Sequence, residues 1–334
     1  MTRMLKPRTV QIGEEPLLLD SPRVDNGDVY IGDGHGTGLV KVCGSTLDVL
    51  WRVPLRTEAR VVTAMGGAVV VAASDARCSG YATDDGRYMW GVANDFEGCI
   101  PWSGKLVAPG PLGIIDPGSG AIARTLWHSS DLVGAPSLRE DVILGRRRGT
   151  GILSAFDLRE ERRLWSADLV PALTEALGRS PEAVEYVGSE RTLASTRDRI
   201  VVADPGGQIV WSRDVALESQ PTIGPTSVFI LAAGRGQPAR FRSLDLSTGE
   251  TVFETAPVGV SALERPFRGT VDGSHVAFGT NRGLVVSFDA HSGQMEWSYR
   301  HSSATKSPVF GLRWAFCSTA DGCLLAFDAG ESAS

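Results

Sequence analysis

The sequence predicts an all-β protein: a single eight-bladed β-propeller of four-stranded antiparallel blades, its ring closed by the N-terminal strand pairing with the last blade. Three observations carry this. Leu284 to Trp297, LVVSFDAHSGQMEW, reads as strand, tight turn, strand: Val286 and Phe288 alternate with Ser287, Asp289 opens the turn and Gly293 sits in it. The unit recurs along the chain, with aromatic anchors Trp51, Trp90, Trp127, Trp165, Trp211, Phe253 and Trp297 spaced by 39, 37, 38, 46, 42 and 44 residues. A period of roughly 40 with strand patterning is the signature of propeller blades. Finally, the two ends are complementary fragments: one strand with no blade of its own, and one blade short of a strand.

With strands A to D counted outward from the axis, Arg8 to Gly13 within 8–14 is a lone D strand. Blades follow over 15–56, 57–95, 96–132 and 133–169, then 185–216, 217–258 and 259–304. The last stretch, 305–331, has A, B and C (Pro308-Val-Phe, Trp314 to Cys317, Leu324 to Phe327) and stops before any Trp. Joining the fragments removes two unpaired sheet edges. The spacing of 46 comes from an insertion over 170–184, VPALTEALGRSPEAV, read as a short helical excursion. Pro171 and Pro181 are helix-start prolines, and Gly178 falls where a helix would stop. Leu169, Leu173 and Leu177 share one face at i, i+4, i+8.

Of the 334 residues, 42 % are hydrophobic, ordinary for a chain with a buried core, and the net charge is −6. The acidic balance argues against a nucleic-acid surface. The start of the chain has basic residues without an apolar run after them, and no stretch approaches the roughly 18 apolar residues of a membrane span. Cys43, Cys78, Cys99, Cys317 and Cys323 are odd in number and scattered, which fits a reduced cytoplasm. They read as small buried hydrophobes, with Cys317 and Cys323 on neighbouring strands of one hairpin.

The repeat resembles the quinoprotein family of pyrroloquinoline-quinone-repeat propellers, whose blades carry Ala-x-Asp-x-x-Thr-Gly-x-x-x-Trp. The nearest copies are Ser243-Leu-Asp-Leu-Ser-Thr-Gly249 with Phe253, and Ser287-Phe-Asp-Ala-His-Ser-Gly293 with Trp297. The motif builds a blade and touches no cofactor. Quinoprotein dehydrogenases, as the resemblance implies, are exported and bind the quinone with calcium through adjacent cysteines, a stacking Trp and a carboxylate–amide set. This chain has no adjacent cysteines, so the reading is the branch that binds no cofactor, like the non-catalytic propellers of outer-membrane assembly factors.

In a propeller the B–C and D–A loops share the face around the mouth of the channel, and the A–B and C–D loops share the other. Five of six B–C loops carry arginine, among them Arg146, Arg147 and Arg148, then Arg197 and Arg199, Arg235 and Arg282. The C–D turns collect aspartates and glutamates. The expectation is a basic rim that takes an acidic protein segment or an anionic small molecule, since guanidinium forks match carboxylate and phosphate. Carboxylates of the D–A side, Glu218 and Asp95 among them, join Arg60 and Arg265 as a polar funnel, and His35 lies in a mouth-side loop. Gly32 to Gly38 and Gly145 to Gly151 lead into strands and lack the ending of a phosphate loop. The five histidines have no metal spacing, so neither metal nor cofactor is expected. The function expected is a soluble cytoplasmic binding or scaffold protein. The alternative is a cofactor-free enzyme (lyase, cyclase or hydrolase) acting on an anionic small molecule in the funnel.

Overall fold

A computed structural model describes residues 3–4, 6–13, 21–32, 38–55, 59–73, 77–93, 99–108, 113–125, 132–147, 152–188, 190–233, 237–258, 264–311 and 313–329. They form eight antiparallel sheets, each ordered A-B-C-D along its hydrogen bonds. The fold class is the predicted eight-bladed β-propeller. Blade 1 runs Arg23–Asp25, Asp28–Gly32, Gly38–Cys43 and Val49–Pro54, and blade 7 runs Thr270–Asp272, His275–Gly279, Leu284–Asp289 and Met295–Arg300. Blade 8 takes Val309–Phe310, Trp314–Ser318 and Cys323–Asp328 from the end of the chain and Arg8–Gln11 from its start. That outer strand pairs antiparallel, Arg8 opposite Ala326 and Gln11 opposite Cys323, as the sequence implied. One addition was not expected. Arg3–Met4 pairs parallel with the D strand of blade 7, Arg3 opposite Trp297, so that blade has five strands.

Contacts divide the chain into two compact units. The first comprises Met1–Leu106, Ile115–Ile122 and Leu263–Ser334, and the second Val107–Ile114 and Ala123–Ala262. Blades 1, 2, 7 and 8 lie in the first and blades 4, 5 and 6 in the second, while blade 3 contributes residues to each.

Burial explains why B and C strands are unbroken apolar runs. Cys323–Asp328 is buried from Cys323 to Phe327, because both faces of blade 8 are covered, by blades 7 and 1. D strands such as Val49–Pro54 alternate exposed and half-buried residues. In the first unit Ile12, Val29, Val40, Phe316 and Leu324 pack between blades 8 and 1. In the second, Leu193, Val202, Trp211 and Ile230 pack between blades 5 and 6.

The aromatic anchor has a fixed place in each blade whose anchor is described. Trp51, Trp90, Trp165 and Trp297 each stand opposite the C-strand residue two before the turn-opening position: Lys41, Gly80, Ala155 and Ser287. For Trp51, Trp90 and Trp211 the indole N–H donates to the second carbonyl of the following blade's C–D turn, whereas the buried Trp165 Nε1 has no hydrogen-bond partner among the described residues. Trp51 Nε1 reaches Thr83 O at 3.2 Å, Trp90 reaches Pro117 O at 2.8 Å, and Trp211 reaches Leu246 O at 3.0 Å. The turn's closing glycine is needed twice over. Gly120 and Gly249 have φ of 70° and 71°, and an added Cβ would lie 2.4 Å and 2.6 Å from Trp90 and Trp211.

The insertion folds as one helix, Val170–Leu177, ended by Gly178 at φ 74° with Pro171 in its first turn. Leu169, Leu173 and Leu177 are buried against blades 4 and 5. Pro181 starts no helix: Ala183–Gly188 is already the A strand of blade 5. In blade 7 the inner strand is Thr270–Asp272, and the preceding Pro266 has no N–H to offer a ladder. Pro266 makes an isolated bridge to Thr280, and Phe267 N donates to Gly279 O at 2.9 Å.

Candidate functional site

Several predicted rim residues, Arg148, Arg235, Asp95 and His35, lie outside the described residues, as do the side chains of Arg60, Arg146 and Arg147. The others fall in both units. In the second unit the two rim arginines whose side chains are described, Arg197 and Arg199, are paired. Arg199 Nε meets Asp214 Oδ1 at 2.5 Å and its Nη1 donates to Ala176 O at 2.7 Å, so the helical insertion shares this anchor. Arg197 lies 3.9 Å from Glu182, and Arg179 bonds Asp198 at 3.1 Å and Glu182 at 3.3 Å. Glu218 belongs to the D–A connection of blade 6, where its N–H donates to Leu231 O at 2.9 Å.

The first unit differs. Its B–C and D–A loops of blades 7 and 8 interlock through backbone. The B–C turns Thr280–Gly283 and Thr319–Gly322 are repeat-related, each opened by a buried threonine and closed by a glycine at φ 83°. Thr280 Oγ1 accepts the Leu284 N–H at 3.0 Å, and Thr319 Oγ1 accepts the Cys323 N–H at 2.9 Å. The D–A segment 301–308 lies on both turns: Thr305 N donates to Thr280 O at 2.9 Å, Lys306 N to Ser318 O at 2.9 Å and Ala320 N to Ala304 O at 2.8 Å. Gly279 allows the approach, since a Cβ there would sit 2.2 Å from Lys306 O.

An ion pair fixes the base of this edge. Glu264 is 1 % exposed, and Arg300 Nη1 reaches its Oε1 at 2.6 Å while also donating to Arg282 O at 3.3 Å. Next to Glu264, Arg265 N donates to Asn281 Oδ1 at 2.7 Å and Asn281 N returns to Arg265 O at 3.0 Å. This places Arg265, Arg282 and Arg300 on three touching segments. The side chains of Arg265 and Arg282 are exposed, and neither has a carboxylate partner among the described residues. Lys306 Nζ stands 4.8 Å over the Phe267 ring, its one described side-chain contact. Phe267, Thr305, Lys306, Ser318 and Thr319 line a cleft with room for about one water molecule.

Beside this edge stands a second polar group that sequence reading missed. His301 Nε2 lies 2.9 Å and 3.1 Å from the two Asp321 oxygens. Burial acts to raise the Asp321 carboxyl, but hydrogen bonds from Thr319 and His301 outweigh it and hold it below the ordinary carboxylate value. Cys323 Sγ donates to Gln11 Oε1 at 3.0 Å, and burial, reinforced by the Asp321 charge, pushes its thiol up. No chain spacing signals the cluster, because Gln11 arrives with the closing strand.

The acidic C–D turns prove to be self-capped. Asp245 Oδ1 accepts the Ser247 and Thr248 N–H groups, each at 2.9 Å, and Asp289 Oδ1 accepts those of His291 and Ser292 at 3.1 Å and 2.6 Å. In blade 2 the turn-opening position is Ala82 rather than Asp84, since Gly86 N returns to Ala82 O at 3.0 Å. In blade 1 it is Cys43, with Leu47 at φ 66° in the glycine place.

These blades are similar to those of the PQQ-repeat β-propeller family. The family model described as outer membrane protein assembly factor BamB matches residues 149–311. Among solved structures, BamB from Moraxella catarrhalis superposes with a TM-score of 0.65 at 14 % identity, covering 98 % of each chain. The computationally designed Ika8 protein gives a TM-score of 0.69 at 14 % identity, over 95 % of this chain and 99 % of its own. Saccharomyces cerevisiae Sqt1 gives 0.64 at 12 % identity, over 98 % of each. At these identities the likeness is one of fold. A comparison with curated protein sequences gives no match. No described helix is long and apolar enough to cross a membrane.

Proposed function

We propose that this propeller is a binding scaffold that takes an acidic protein segment on the B–C and D–A edge of blades 7 and 8. One observation carries the reading: Arg265, Arg282 and Lys306 lie on interlocked loops without a carboxylate partner among the described residues, whereas the rim arginines of blade 5 are paired. Like charges placed close together repel, by about 1 kcal/mol for a pair at 4 Å in water, and a bound carboxylate relieves that cost. The backbone beneath is held by buried threonines and the Glu264–Arg300 pair, so little order is lost on binding. The one-water cleft suits surface contact better than the enclosure of a small substrate. The scattered cysteines support a cytoplasmic setting.

The test uses a fluorescent poly-glutamate peptide and the full chain. Binding should weaken as salt is raised from 50 to 300 mM and fall at least about fivefold in R265S/R282S. Arg87→Ser, in a C–D turn, should leave it unchanged. Equal binding by R265S/R282S overturns the assignment.

A further inference from the structure

The ligand atoms of His301, Asp321 and Cys323 lie within 4.8 Å of one another, half-buried to buried, and they come from three places in the fold. His301 opens the D–A segment after blade 7, Asp321 sits in the B–C turn of blade 8, and Cys323 begins its C strand. We propose that these three side chains, with the amide oxygen of Gln11 as a fourth donor, form a binding site for a divalent transition metal of the zinc class.

The donor set is a nitrogen, a sulfur and two oxygens, which suits a borderline-soft ion in tetrahedral geometry. Ligands around such an ion stand roughly 3.3–3.8 Å apart, given bonds of about 2.0–2.3 Å. The separations of 2.9 Å for His301 to Asp321 and 3.0 Å for Cys323 to Gln11 bracket that from below, and the 4.8 Å limit from above. Small side-chain rotations therefore suffice.

Each donor is already oriented by a partner of its own. His301 is anchored by its backbone N–H to Gly283 O at 2.8 Å. Thr319 Oγ1 donates to Asp321 Oδ1 and accepts the backbone N–H of Cys323, fixing two ligands from one buried hydroxyl. The Gln11 amide donates to Gly13 O and Asp321 O, at 2.5 Å and 2.9 Å, which leaves its oxygen directed at Cys323 Sγ. Outer-shell partners of this kind are what metal sites use to hold their ligands. The bond between His301 and Asp321 is the arrangement expected without the ion. On binding, Cys323 gives its S–H proton to solvent and the His301 proton moves from Nε2 to Nδ1 by exchange with solvent, so that sulfur and Nε2 each donate a lone pair.

The position gives the site a structural consequence. Gln11 lies on the N-terminal strand, Cys323 is the residue opposite it, and His301 follows the D strand of blade 7. A bound ion would tie the closing strand to both last blades and stabilise the folded chain by mass action.

Cobalt(II) and zinc chloride are the probes, added to the full reduced chain. Wild type should take up one cobalt per chain, with thiolate-to-cobalt charge transfer in the near ultraviolet and tetrahedral d–d bands. Zinc should displace it and raise the melting temperature. Cys323→Ser should lose the charge-transfer band, and His301→Gln should weaken binding at least about tenfold. Cys43→Ser should keep both signals. Circular dichroism and melting without metal establish that each variant is folded. The proposal fails if folded wild type shows no saturable uptake, or if the charge-transfer band survives in Cys323→Ser.

Discussion

The Sγ atoms of Cys78 and Cys99 lie 3.0 Å apart, both side chains buried, one on the C strand of blade 2 and the other just before the A strand of blade 3. The two cysteines of the last hairpin are engaged elsewhere: Cys317 Sγ donates to Lys306 O at 2.9 Å and Cys323 to Gln11. Thiol reactivity should therefore fall into three classes. Cys43, half-exposed, is lowered to about 7 by hydrogen bonds from Ser45 and Thr46, and should alkylate first at neutral pH. Burial pushes Cys317 up, and it should react only on unfolding. Glutathione disulfide should join Cys78 to Cys99, each thiol losing one hydrogen as the reagent becomes two glutathiones. Peptide mapping by mass spectrometry reads all three. A Cys317–Cys323 linkage, or no linkage at Cys78, contradicts the arrangement.

The N-terminal strand substitutes chemically as well as sterically. Arg8 pairs with Ala326, the place held by Trp297 opposite Ser287 one blade earlier. Its guanidinium donates to Ser45 O at 2.5 Å and Thr46 O at 2.6 Å in the C–D turn of blade 1, the kind of turn that an indole N–H holds elsewhere. Arg8→Ala should cost about 1–2 kcal/mol by thermal melting. Removing residues 1–14 should cost far more, because it also strips buried Ile12 from its cluster and bares the edge of Cys323–Asp328. A truncated chain that melts with the parent would mean that the strand closes nothing.

Blade count, strand order and the complementary ends were legible because each rests on a local pattern repeated many times. The Asp–Gly turn and the aromatic anchor are set by backbone geometry within about a dozen residues. The Arg8 substitution was not legible, since register rather than residue type puts it in the anchor position. The Arg3–Met4 strand carries too few residues for any periodicity. The pairing of rim arginines was hidden because Asp214 and Glu182 reach Arg199 and Arg197 across neighbouring elements. The His301–Asp321–Cys323 group joins residues far from any motif spacing.

Turn glycines should differ sharply in their tolerance. Gly249→Ala must place a methyl 2.6 Å from Trp211 while holding φ at 71°, so it should lose about 2–4 kcal/mol. Gly273 has φ 50° with nothing within 4 Å of an added Cβ, so Gly273→Ala should lose about 1 kcal/mol. Urea titration separates the two. Equal losses would mean that the indole yields and only the dihedral matters.

The turn aspartates set an acid limit. The Ser292 hydroxyl and the N–H groups of Ser292 and His291 hold Asp289 below its ordinary 3.8, and the Ser247 hydroxyl with the Thr248 N–H does the same for Asp245. A carboxyl lowered in the folded state adds stability above its unfolded value, and that contribution disappears as pH falls through the folded value. The penalty of D245A/D289A should be largest near pH 7 and shrink below about pH 3.8. Chemical unfolding at pH 7 and pH 3 measures it, and a penalty that is the same at both would assign the turn to backbone bonds alone.

Glu264 and Arg300 should respond unequally to removal. The carboxylate is buried and the guanidinium is 51 % exposed, so each single change leaves a different remnant. Arg300→Met removes the cation from a buried carboxylate that Thr280 also touches, which should cost about 3 kcal/mol or more. Glu264→Gln leaves a neutral group of the same shape, and Arg300 keeps solvent and the Arg282 carbonyl, so it should cost about 1 kcal/mol. The double variant R300M/E264Q removes the charge that the first change abandoned. It should therefore be more stable than Arg300→Met alone, recovering at least about half the loss in a denaturant-based mutant cycle. If the two single changes simply add, the two side chains act independently, and the edge carrying Arg265 and Arg282 is held by its backbone bonds alone.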